Sequence, residues 1–191
     1  MMMQEPTLYM LLLGCKPVGR NIEQHDIFFG IANGVNNLSQ DIIYSWPEAN
    51  GKIHVDAWRE VRQVGDFTIK AVPVSTRQEN TETAGLKLFF INLGGYKKDK
   101  FEEFHYKLLL VAANKSEAIG KAKSDSFYLH TGFKGAPSHL DDKYGIDVDD
   151  SYEISDLLPG EIKKQYALII SRRVADQPDQ VHLGYMKPGK L

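Results

Sequence analysis

A chain of 191 residues with 42% hydrophobic and 25% charged side chains can fill one large globular core or two small ones. Its formal charge of −2, with Lys and Arg scattered, argues against the concentrated basic face that nucleic-acid binding needs. The single cysteine, Cys15, excludes an internal disulfide and a zinc site of several thiolates, and points to a reducing, cytoplasmic home; no run approaches the ~20 apolar residues of a membrane span.

The first element is an apolar run, Leu8 to Leu13, closed by Gly14, which reads as a buried strand. Leu11-Leu12-Leu13-Gly14-Cys15 has the look of a lipoprotein cleavage site. Against that, Glu5 rather than a basic residue precedes it, and the pattern recurs in mid-chain, where no signal peptide acts. Gly14-Cys15-Lys16-Pro17-Val18-Gly19-Arg20 has the two glycines of a phosphate loop. It lacks the following Lys-Ser/Thr, and Pro17 removes an amide donor, so a turn between strands is expected. A second strand follows at Glu23 to Ala32. A helix should open at Asn37, with Gln40 completing a capping box, and stop before Pro47. Strands at Ile53 to Val61 and Phe67 to Val74 close the unit; Phe67, Ile69 and Ala71 alternate with Thr68 and Lys70 as on a half-buried strand.

The polar stretch Thr76 to Gly85 reads as a linker. Beyond it the order returns: strands at Leu88 to Leu93 and Glu103 to Ala113, a helix capped by Asn114 and Glu117 and running through Lys123, then strands at Ile146 to Ile154 and Gln165 to Arg172. An offset of 80 positions lays Leu8–Leu38 over Leu88–Ala118 without a gap. Leu8/Leu88, Leu13/Leu93, Gly14/Gly94, Glu23/Glu103, His25/His105 and Ala32/Ala112 are then identical. Ile53-His54-Val55-Asp56 falls on Ile146-Asp147-Val148-Asp149 at an offset of 93, which leaves an insertion in Tyr128 to Gly145, expected as a loop. One short strand is expected in the tail, at Val181 to Met186.

These patterns describe an α+β protein of two tandem ββαββ units, residues 1–75 and 88–172, joined by a linker at 76–87 and followed by a tail at 173–191. A crossover helix after strand two suggests a β-grasp-like unit, a mixed sheet covered by one helix, with a ferredoxin-like variant as the alternative. Phe28-Phe29 and Leu108-Leu109-Leu110 are apolar on both faces, so the two sheets are expected to pack together or to form a homodimer. The opening Leu8 to Arg20, the repeat, and above all Glu23-Gln24-His25-Asp26 followed by Phe28-Phe29-Gly30 resemble the bacterial domain-of-unknown-function family 1543. The resemblance implies the duplicated architecture and no chemistry. The second half keeps only Glu103 and His105 of the four-residue piece.

Glu23 and His25, echoed by Glu103 and His105, lie two apart on a strand and so share a face. Brought together by a pseudo-twofold axis, they would bind Zn²⁺ or Fe²⁺. Singly, Glu23 and His25, with Asp26 beside them, would form an acid/base site. The plainer alternative is a hydrogen bond repeated at the start of strand two. His130, His139 and Asp141 in the insertion are candidate ligand-binding residues, since long loops carry function, although a solvated acidic loop explains them as simply. No calcium loop starts at Asp147, because neither the sixth position is Gly nor the twelfth Glu. Cys15 would be a nucleophile only beside a base such as His25, no Gly-x-Ser-x-Gly elbow occurs, and Trp46 and Trp58 read as core anchors. With no complete catalytic set, the expectation is a non-catalytic module that binds a protein partner or small molecule. The rival is a metal-assisted or acid/base enzyme, and the sequence specifies no cofactor.

Overall fold

The computed structural model describes residues 5–77, 81–96, 99–131, 147–173 and 177–191, with the side chains of 96, 125–131 and 147 left aside. In chain order the elements are β1 (Thr7–Cys15), β2 (Gln24–Ala32), α1 (Ser39–Ser45), β3 (His54–Glu60), β4 (Gln63–Val64), β5 (Phe67–Pro73), β6 (Lys87–Tyr96), β7 (Glu103–Ala112), α2 (Lys115–Thr131), β8 (Asp147–Glu153), α3 (Ile154–Leu157), α4 (Gly160–Gln165), β9 (Tyr166–Arg172) and β10 (Val181–Met186). The chain divides into two compact units, residues 1–84 with 157–191, and residues 85–156. No described helix is long and apolar enough to cross a membrane.

The first unit holds a four-stranded sheet, ordered β10-β3-β1-β2, and a three-stranded sheet, β4-β5-β9. β1 is central, which explains its almost unbroken apolar run. Tyr9, Leu11, Leu13 and Cys15 face a core completed by Phe28, Val35, Leu38, Ile42 and Val55. The expected cap at Asn37 is not formed. Val35–Leu38 winds into a 3-10 turn, and α1 follows with no side-chain cap. Burial of Val35 and Leu38 in that core accounts for the tight turn, and Ser39 Oγ donates to the Asn36 carbonyl at 2.7 Å instead. Pro47 does end the helix, opening a second 3-10 turn at Pro47–Ala49.

The second unit is the sheet β7-β6-β8 with α2. Ala118 and Ala122, one turn apart, are fully buried among Phe89, Ile91, Leu93 and Ala112, so small side chains let the helix approach the sheet. The capping box is present: Glu117 N–H donates to Asn114 Oδ1 at 3.0 Å, and Glu117 Oε2 accepts from Ala113 N–H at 2.9 Å. α2 runs to Thr131, past the expected end at Lys123, and takes the first part of the insertion into a helix.

Each strand pairing is antiparallel among the described residues, so the mixed, β-grasp-like sheets expected from sequence are replaced by several antiparallel ones in an α+β fold. The reason lies in the fourth strands. β5 does not return to the sheet of β1 but pairs with β9, Ile69 opposite Ile170 and Pro73 opposite Tyr166. The crossovers that remain, β2 to β3 through α1 and β7 to β8 through α2, each pass one central strand, β1 or β6, which pairs antiparallel with both.

Candidate metal centre

The end of β1 is where the first sheet changes from core to chemistry. Gly14 lies opposite His25 of β2 on one side and opposite His54 of β3 on the other. Directly opposed residues point to the same face, so both imidazoles rise on the side away from the Tyr9–Cys15 core. Asp56 would ordinarily share the His54 face two residues on. Here the register slips: Leu13 faces Val55 while Leu12 faces Ala57, leaving Asp56 as the extra residue of a β-bulge. Bulges re-aim side chains, and this one turns the Asp56 carboxylate inward over Gly14. A Cβ on Gly14 would overlap His54 Nε2 and come within 2.7 Å of Asp56 Oδ2. Glycine at this position therefore clears space for functional groups; it does not end the strand.

Four nitrogen–oxygen contacts link the four side chains into a ring that closes through the two oxygens of the Asp56 carboxylate. His25 Nε2 lies 3.2 Å from Glu23 Oε1 and 3.3 Å from Asp56 Oδ2; His54 Nε2 lies 3.4 Å from the same Glu23 oxygen and 3.2 Å from Asp56 Oδ1. Glu23, His25 and Asp56 each offer a ligand atom within 4.8 Å of the others. Asp56 Oδ2 is buried and has no hydrogen-bond partner, although the His25 nitrogen is close. A contact without hydrogen-bond alignment leaves a lone pair of that buried oxygen unused.

Burial grades across the ring. The His54 side chain is 6% exposed and stacks on Tyr185 of β10 with ring centroids 4.2 Å apart. Glu23 and His25 are about half exposed, at 44% and 47%, so solvent reaches that side. β10 also carries one extra residue between Leu183 and Met186, accommodated by Gly184 at φ 129°, and this irregularity brings Tyr185 against His54.

The second unit repeats the construction. Gly94 lies opposite His105 of β7 and Asp147 of β8; Leu93 faces Val148 while Asn92 faces Asp150, so Asp149 is the bulged residue. His105 Nε2 is 3.2 Å from Asp149 Oδ2, and Glu103, His105 and Asp149 offer ligand atoms within 4.8 Å of one another. A Cβ on Gly94 would come within 2.8 Å of Asp149 Cγ. Thus each Glu–His pair has its own third-strand aspartate.

Other sequence candidates lie elsewhere. Asp26 sits opposite Leu13, on the other face from His25, where its Oδ1 accepts the Ile27 N–H at 2.7 Å. It lines an open groove of about 420 Å³ with Phe28, Asp41 and Tyr44. Cys15 faces the core, and burial, then the charges of Glu23 and Glu48, push its thiol pKa up, away from the nucleophilic thiolate. His130 is on α2, and His139 and Asp141 lie outside the described residues. Sequence reasoning missed His54, Asp56 and Asp149 as site residues. The signal was available, since Asp56 and Asp149 are an identical pair within the quartets aligned at an offset of 93.

Comparison with known proteins places the fold and leaves the chemistry open. A solved structure of a protein Il1583 from Idiomarina loihiensis superimposes with a TM-score of 0.60 at 17% identity, covering 95% of this chain and 97% of that one. No curated protein matches the chain. Residues 20–71, from the turn before β2 into β5, match the family model described as Domain of Unknown Function (DUF1543), the family that the Glu23-to-Gly30 stretch resembles.

Proposed function

We propose that this protein is a metal-binding module whose principal centre is formed by Glu23, His25 and Asp56, with the buried His54 beside it in contact with both carboxylates. The ring of contacts carries this reading. Neighbouring ligand atoms on a tetrahedral zinc at ~2.0–2.2 Å stand about 3.3–3.6 Å apart. The ring spans 3.2–3.4 Å and mixes imidazole with carboxylate, a donor set suited to Zn²⁺ or Fe²⁺. The orphaned Asp56 Oδ2 and the cleared space over Gly14 fit the same ion. Tyr185, stacked on His54, fixes the plane of that imidazole.

Exposure of Glu23 and His25 favours an open centre over a closed structural one, and with it the metal-assisted reading. A divalent ion there supplies Lewis acidity toward a small-molecule oxygen, or an acidified water. The chain's own part is to hold two carboxylates and two imidazoles together and to leave one side open to solvent.

We also infer that residues 1–75 and 88–172 are duplicated ββαββ halves. Support comes from the shared pairing of Gly14 with His25 and Gly94 with His105, and from bulges at Asp56 and Asp149.

Zinc titration of metal-stripped protein against a chromophoric chelator tests the centre. The His25→Ala and His54→Ala double variant should lose one zinc per chain, with affinity at that site falling at least a hundredfold. An unchanged zinc isotherm would refute the assignment.

A further inference from the structure

The second cluster differs from the first in a consistent direction. The register position of His54 is held by Asp147, so the strand that supplies an imidazole in the first unit supplies a carboxylate residue in the second. The surrounding face changes as well. In the first sheet Leu12 lies between Ile27 and Ala57; in the second, the matching position is Asn92, between Lys107 and Asp150. An apolar row has become a polar one. Asn92 Nδ2 donates to Asp150 Oδ2 at 3.2 Å, while Asn92 Oδ1 is buried without a hydrogen-bond partner among the described residues.

We propose that Glu103, His105 and Asp149 form a second, separate divalent-cation site that takes a harder, partly hydrated ion of the Mn²⁺ or Mg²⁺ class. It uses the same geometric argument as the first centre but none of its residues, so either assignment can fail alone. Three observations converge. The Asp149 bulge and Gly94 bring a carboxylate over the strand, where Asp149, Glu103 and His105 offer ligand atoms within 4.8 Å of one another, and a cation there would relieve the repulsion of the two carboxylates. One imidazole with carboxylate oxygens is a harder donor set than the two imidazoles of the first ring. Hard ions keep several waters and need polar groups around them, and the unpartnered Asn92 oxygen lies two residues from Gly94 on the same face. Lys107, two residues beyond His105 on that face, opposes the cation with its charge, which sets the affinity below its ceiling.

Mn²⁺ titration of the metal-stripped full chain, followed by loss of the free-ion electron paramagnetic resonance signal, tests the proposal. Wild type should bind Mn²⁺. His105→Ala with Asp149→Asn should weaken it at least tenfold, and His25→Ala with His54→Ala should leave it within about twofold. Lys107→Met should tighten binding several-fold, a gain that no misfolded variant produces. Absence of Mn²⁺ binding by wild type would overturn the proposal, leaving His105–Asp149 a plain ion pair. So would binding that survives the His105/Asp149 changes or disappears with His25 and His54. A zinc isotherm that ignores His25 and His54 while Mn²⁺ behaves as stated would sink only the first centre.

Discussion

Replacing Gly14 by alanine separates the candidate centre from the stability of the sheet. The new methyl would overlap His54 Nε2, lie 2.7 Å from Asp56 Oδ2 and 2.9 Å from His54 Cε1. His54 is held by burial and by Tyr185, so it cannot simply rotate away. Crowding of this kind in a packed region costs about 1–3 kcal/mol, and at this chain length each kcal/mol lowers Tm by roughly 2–4 °C. Gly30 is the control. Its added methyl would meet Leu38 Cδ2 at 2.7 Å and Phe28 Cε1 at 3.0 Å, on the core face, far from any ligand atom. Both variants should melt earlier by comparable amounts. Only Gly14→Ala should also lose zinc affinity, by roughly the 10–100-fold that displaced supporting groups cost a metal site. Thermal melts and zinc titrations on both proteins read the two effects separately. Equal zinc affinity in Gly14→Ala and Gly30→Ala would show that the space over Gly14 serves packing alone.

Three further outcomes follow from the packing. Asn114→Ala removes the side-chain acceptor for Glu117 N–H and should cost about 1 kcal/mol, read by denaturant unfolding, with no change in metal binding. Thr83→Val strands the buried Ile170 carbonyl that accepts the Thr83 hydroxyl at 2.6 Å, and should cost about 1–3 kcal/mol in the same assay. Burial, then the charge of Glu60 and a hydrogen bond to it, raises the Tyr9 pKa to about 12. The folded chain therefore keeps that proton where the unfolded chain has lost it. Stability should fall between pH 10 and 12, by up to about 1.4 kcal/mol per pH unit, and Tyr9→Phe should remove that part of the slope.

Strand positions are legible in this chain because local chemistry dictates them. Leu8 to Leu13 is apolar throughout as a central strand must be, and Val181 to Met186 stands clear of its Pro- and Gly-bearing surroundings; both are strands. Pairing is not local. Nothing near Phe67 announces that β5 will meet β9 about a hundred residues away, so the sequence pattern points to mixed sheets where the structure has antiparallel ones. The Asn37 cap failed for a different reason: a polar pattern at the helix start was overridden by burial of Val35 and Leu38. At the candidate centre, the nearness of Glu23 to His25 follows from their spacing on one strand, whereas His54 and Asp56 arrive from another strand, and Asp56 arrives through a bulge that no periodicity encodes. Gly14 and Gly94 were visible as an identical pair, but their purpose depends on which side chains cross above them.

Anomalous diffraction at the zinc edge, on crystals of zinc-loaded protein, decides whether the ring at the end of β1 is a metal centre. A peak about 2.0–2.2 Å from Glu23, His25 and Asp56 oxygen and nitrogen atoms is the expected result. Zinc-loaded crystals with no peak there, and with the His25 ring hydrogen-bonded to the Asp56 carboxylate, would reduce the ring to an ordinary ion-pair network.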